Sequence, residues 1–120
     1  ILIHANIGDY QVTPLGAHII ARAVSAKNLA PVNRELFGLP SAPSPLGGSA
    51  IVEWSWGLNP APTTNTPPGN LCPANAPPKC EDPHDQLRKQ PASVEQEVQF
   101  FQTGMTIATC GAGPCVGTFL

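Results

Sequence analysis

The chain opens on a continuous apolar run, Ile1-Leu2-Ile3-His4-Ala5, interrupted only by the histidine. Such a run suits a strand buried on both faces, as in a parallel sheet. Asn6-Ile7-Gly8-Asp9 reads as the loop leaving its carboxyl end. Thr13-Pro14 is a helix start, with Thr as N-cap and Pro at the first helical position. Leu15, Ile19, Arg22 and Ala23 fall on one face of that helix, with Ile20 and Val24 beside it, and the spacing predicts a helix from Pro14 to about Ser25. From Leu29 to Gly48 the pattern is loop-like: Leu36, Phe37 and Leu39 form an apolar knot expected on the sheet edge, and five Pro and Gly residues between Pro40 and Gly48 oppose regular structure. Ser49 to Leu58 alternates, with Ile51, Glu53 and Ser55 on one side and Val52, Trp54 and Trp56 on the other. That predicts a second strand, at a sheet edge with one face more exposed, its two Trp residues packing under the final helix.

Residues 59–80 are rich in Pro, Thr and Asn and have no periodicity, so a long surface loop is expected. Ser93-Val94-Glu95-Gln96 reads as a capping box. The helix it opens continues through Val98, Phe100 and Phe101 and stops at Gly104, a natural C′ glycine. Residues 105–120 form a tail. A strand–helix–strand unit implies a right-handed crossover and a parallel sheet. Two strands do not make a stable sheet alone, so further strands are expected from another chain or an upstream segment.

Composition changes this picture in three ways. Charged residues are 12% against 42% hydrophobic, well below the roughly 25% charged of ordinary domains. Such a chain expects part of its surface to be covered. Net charge is −2, with six Lys and Arg and no basic patch or aromatic ladder, which argues against nucleic-acid binding. No apolar run approaches the roughly 20 residues of a membrane span. The opening inside a strand-like run, without an initiating Met, is what a processing product or a cleaved chain would show.

The four cysteines fall as Cys72 with Cys80 and Cys110 with Cys115. Local pairing, 72–80 and 110–115, would staple two loops, although spacing leaves the other pairings open. Zinc is the competing explanation. The wide first interval and the lack of a finger-like His pair argue against it, and no metal or cofactor is expected. Disulfides imply an oxidising compartment: secreted, periplasmic or cell-surface.

The candidate chemistry lies in Gly8-Asp9-Tyr10-Gln11-Val12 and Asp82-Pro83-His84-Asp85. In open α/β sheets functional groups gather at the carboxyl ends of strands. If the two strands are parallel neighbours, Asp9 can hold one nitrogen of His84 while the other takes a proton. Asp9 could instead merely cap the turn before Pro14, and His84 could be an ordinary loop histidine. His4 reads as a satisfied core or edge group, His18 as a surface or packing residue, and Asp85 as a less apt acid. Tyr10 and Gln11 could line the pocket mouth.

These motifs resemble those of the α/β-hydrolase family. Residues 1–24 are similar to its seventh strand, acid loop and following helix. Residues 49–58 are similar to the eighth strand, and 82–104 to the histidine loop and final helix. Gly8-Asp9 followed by Val12 resembles the Gly-Asp-x-x-Val acid motif, and His84 stands at the family's histidine position. The resemblance implies an α/β fold in which residues 1–120 are the C-terminal part of a single domain, its last two parallel strands with flanking helices. It implies an extracytoplasmic serine hydrolase of esterase or lipase type acting on a small ester, with Asp9 as acid and His84 as base. Gly-x-Ser-x-Gly is absent from the 120 residues, so the serine is expected from the N-terminal part of the precursor or a second chain, and this chain alone should be inactive. The rival reading is a non-catalytic, disulfide-stapled binding or structural module.

Overall fold

The computed structural model describes residues 1–9, 11–57 and 82–120. They form a small α/β domain in which a four-stranded sheet, ordered β1-β5-β2-β3, is parallel throughout. The strands are β1 (Leu2–Asn6), β2 (Lys27–Leu29), β3 (Ser41–Ala42) and β5 (Ala50–Trp54). A separate antiparallel pair joins β4 (Leu46–Gly47) to β6 (Met105–Thr106). Helices α1 (Pro14–Ala23) and α2 (Pro91–Thr103) complete the frame. Two strands were expected, and β2 and β3 add two more from within the chain. At three and two residues they are too short to leave a periodic trace in a stretch that reads as loop.

Strands β1 and β5 are parallel neighbours, in register from Leu2 opposite Ala50 to Asn6 opposite Trp54. Their expected environments are exchanged. β5 lies between β1 and β2 and is buried along its whole length. Among the described residues β1 pairs on one side only; its first three residues are half-buried, and Ala5 and Asn6 are buried. The alternation in β5 is as read, but both of its faces are covered. Ile51 packs with Ala21, Ala26, Leu36 and Leu39 on the α1 side. Val52, Trp54 and Trp56 pack on the other with Leu29, Leu87, Ala92 and Cys115.

Glu53 made β5 look half-exposed, yet it is buried. Arg34 grips its carboxylate with two bonds, Nε to Oε2 at 2.7 Å and a terminal nitrogen to Oε1 at 2.8 Å. His18 Nε2 lies 2.7 Å from Oε1. His18 is thus a buried partner rather than a surface group, and α1 is rolled accordingly. Its inward face carries Pro14, His18 and Ala21, while Leu15, Ile19 and Ile20 are exposed. The helix ends at Ala23, and Thr13 holds the N-cap position without a side-chain bond. Of the apolar knot, Leu36 and Leu39 are buried and Phe37 is exposed.

Helix α2 starts at Pro91, with Gln90 as N-cap, two residues before the expected capping box. Pro91 takes the first helical position, where its missing N–H costs nothing. Ser93 turns its hydroxyl to His4 Nδ1 at 3.2 Å, and Gln96 Oε1 takes the other ring nitrogen at 2.7 Å. Gln96 Nε2 donates to the Ile107 carbonyl, so Oε1 must face His4, whose Nε2 carries the proton. His4 is the satisfied group expected. Gly104 ends the helix in the left-handed region, at φ 71°.

The tail is part of the core. Ser55 bridges to Val116 beyond the end of β5, with Ser55 N–H to the Cys115 carbonyl at 3.0 Å and Gly117 N–H to the Ser55 carbonyl at 2.8 Å. The Cys110–Cys115 disulfide closes the turn before it. Cys72, Cys80, Tyr10 and the Pro-rich 59–80 stretch lie outside the described residues. Among the described residues no helix is long and apolar enough to cross a membrane.

Two predictions follow from this packing. A Cβ on Gly117 would meet the Trp56 ring at 2.4 Å. Gly117→Ala should therefore lower stability in urea by about 1–3 kcal/mol, the usual range for overpacking. The second concerns pH. Burial holds His4 below its ordinary 6.5, against the opposing Gln96 and Glu97 contacts. Burial pushes Glu53 up, but Arg34 and His18 outweigh it and hold the carboxyl below 4.5. Both folded values lie below the unfolded ones, so protons bind the unfolded chain preferentially as pH falls. Urea midpoints should drop first below 6.5, through His4, and again below 4.5, through Glu53. His4→Gln should remove the first step and leave the second.

Candidate active site

Strand β1 ends at Asn6, and the Asp9 N–H turns back to the Asn6 carbonyl at 3.4 Å. Gly8 sits third in this turn at φ 88°, a region that glycine enters without steric cost. The turn carries the Asp9 side chain inward, where the residue is 5% exposed. Asp9 Oδ1 accepts the N–H groups of Gln11 at 2.9 Å and Val12 at 2.8 Å. Asp9 therefore does cap the approach to α1, as the simpler reading held. It also does more.

The second loop arrives from beyond β5. Asp82 caps a single 3₁₀ turn, Pro83–Asp85, by accepting the His84 N–H at 3.1 Å. His84 Nδ1 then lies 3.0 Å from Asp9 Oδ2 and 3.2 Å from Oδ1, across 75 residues of sequence. A carboxylate can only accept, so Nδ1 donates and Nε2 is left as the acceptor of the neutral ring. Among the described residues nothing bonds to Nε2. The His84 side chain is 33% exposed, against 8% for Asp9. The ring lines a cavity of about 250 Å³, with Asp9, His4, Asn6, Pro14 and Leu87 also on its wall. A buried acceptor on Nδ1 of a half-exposed imidazole favours one tautomer and leaves Nε2 as the ring's acceptor.

Gln11 does not line this cavity. Its side chain donates to Asp82 Oδ2 at 3.0 Å and ties the acid loop to the histidine loop. Asp85 is exposed and paired with Arg88, away from the imidazole. Asn6 was read only as the start of a loop. It is a buried polar residue whose amide reaches the Pro83 carbonyl at 3.0 Å. A polar residue closing an apolar run was its only signal in the sequence. Among the described residues no three His, Cys, Asp or Glu side chains gather to hold a metal ion.

The double role of Asp9 separates two substitutions. Asp9→Ala loses the turn and the histidine contact together, and should cost about 1–2 kcal/mol in urea unfolding. Asp9→Asn retains a carbonyl oxygen for the Gln11 and Val12 N–H groups, so its stability loss should be clearly smaller. Equal losses would show that the turn bonds contribute nothing.

No protein-family model, no curated protein and no solved structure matches this chain.

Proposed function

We propose that this chain supplies the acid and the base of an extracytoplasmic serine hydrolase acting on small carboxylic esters. The observation that carries the reading is the Asp9–His84 contact at the carboxyl edge of two adjacent parallel strands, with His84 on the wall of a cavity. Buried carboxylate, half-exposed imidazole and open approach form the acid–base half of a triad. The sequence motifs that resemble the α/β-hydrolase acid and histidine loops are the ones that meet there.

In this reading the nucleophilic serine comes from polypeptide outside these 120 residues, and the outer edge of β1 joins the rest of the sheet. That edge has no strand beside it among the described residues. The serine attacks the ester carbonyl while His84 Nε2 takes its proton. The tetrahedral intermediate collapses, and His84 returns the proton to the departing alcohol. Water then repeats the cycle on the acyl-enzyme, with His84 again as base, and frees the acid. Asp9 keeps Nδ1 protonated throughout. Oxyanion donors would come from the serine-bearing part, each worth about 3 kcal/mol in comparable sites. The Cys110–Cys115 disulfide fits an oxidising compartment.

A second reading draws on the sheet. All four strands come from this chain, as a self-sufficient, non-catalytic binding or structural module would require. Size-exclusion chromatography of residues 1–120 divides the two. A compact monomer favours the module; association with the serine-bearing polypeptide favours the hydrolase.

The decisive experiment is turnover of a p-nitrophenyl ester by the full-length protein. His84→Ala should abolish it and leave the fold intact. Asp9→Asn should slow it by roughly 10⁴-fold, through loss of the correct tautomer. Undiminished turnover in either folded variant would refute the assignment.

A further inference from the structure

We infer that Asn6 is a positioning residue for this site, its buried side-chain amide setting where His84 stands against Asp9. The inference rests on the hydrolase reading for its kinetic consequence, though not for its geometry. Asn6 is the last residue of β1 and is 7% exposed. Its Nδ2 donates to the Pro83 carbonyl at 3.0 Å, and its Oδ1 accepts the Trp56 indole N–H at 3.0 Å. An indole nitrogen only donates and a peptide carbonyl only accepts. The amide therefore has one satisfied orientation, and each bond enforces the other.

The bond to Pro83 falls at an informative point. The Pro83 carbonyl belongs to the peptide unit that leads into His84. Asn6 holds its C=O, while Asp82 Oδ1 holds its N–H at 3.1 Å. The Gln86 N–H closes the 3₁₀ turn on the same carbonyl at 3.0 Å, so the unit is held both from within the turn and by Asn6 from β1, and the imidazole starts from a set backbone position. Asn6 reaches this point from the strand that also delivers Asp9, so acid and base are referenced to one rigid element.

Trp56 is the second half of the device. It is buried, it packs on Phe119 at a ring separation of 5.4 Å, and Gly117 lies against its face. The tail grips the histidine segment as well. Gln90 Nε2 donates to the Thr118 carbonyl at 2.9 Å, and the Leu120 N–H donates to Gln86 Oε1 at 3.0 Å. The indole that orients Asn6 and the turn that carries His84 therefore share one support.

The test uses the full-length protein and p-nitrophenyl butyrate, with ¹⁵N-histidine NMR of the His84 Nδ1–H as an independent readout. Asn6→Asp keeps the acceptor for Trp56 and sets an oxygen against the Pro83 carbonyl. It should lower kcat by about 10²-fold, the cost of roughly an ångström of misplacement, with KM changed by no more than about twofold, because the Asn6 side chain spends both polar groups on Pro83 and Trp56 and offers none to the cavity it lines. The His84 Nδ1–H resonance should shift or broaden. Trp56→Phe keeps most of the ring packing, removes the indole donor, and should give the same signature at about a tenth of that size. It carries the test if Asn6→Asp does not fold. Folded variants with wild-type kcat and an unmoved resonance would overturn the inference. If the wild-type protein has no esterase activity the hydrolase reading falls, and the resonance alone then decides whether Asn6 positions His84.

Discussion

The parallel pairing of β1 with β5 is the constraint on which the rest of this structure depends. A parallel ladder runs both strands in one direction, so the chain leaves each at the same edge of the sheet. With Asn6 opposite Trp54, the loop bearing Asp9 and the segment leading to His84 start from adjacent points. A one-residue slip would turn the side chains of β1 to the opposite face. Asn6 would then lose Trp56 and Pro83, and His4 would lose Ser93 and Gln96.

That register is itself held by buried polar groups as much as by apolar packing. Beneath β5, Glu53 is joined to Arg34 and His18. Beside β1, His4 is joined to Ser93 and Gln96. At the upper edge, Asn6 is joined to Trp56 and Pro83. Each group is expensive to bury alone and is satisfied only by residues far away in sequence. Such networks tolerate few alternative arrangements, which suits a domain whose strands are as short as two residues. The apolar clusters on the two faces of the sheet supply driving force, and the polar contacts select the arrangement.

The resulting site has a division of labour. Asp9 closes its own turn and receives Nδ1; Asp82 closes the histidine turn; Gln11 links the two loops on the outside, and Asn6 links them on the inside. The inner link is buried and the outer one exposed, so solvent competes for the second far more than for the first.

Much of the architecture was legible from local chemistry. Pro14 marks the start of the first helix, Gly104 the end of the second, an apolar run marks β1, alternation marks β5, and Gly8-Asp9 marks a turn whose aspartate faces inward. Pro91 marks the true start of α2 by the same rule that locates Pro14, and the Ser93–Gln96 pattern, which reads as a cap, lies within the helix. The pairing of Cys110 with Cys115 was likewise suggested by its short interval. These are properties of a few neighbouring residues, and neighbouring residues determine them. Tertiary structure alone decided which strand is central, which face of α1 turns inward, and that Glu53, His18 and Asn6 are buried. A polar side chain reads as exposed until its partner is known, and the partners lie 19, 35, 50 and 77 residues away. Distance along the chain, rather than weakness of the interactions, hid them from the sequence.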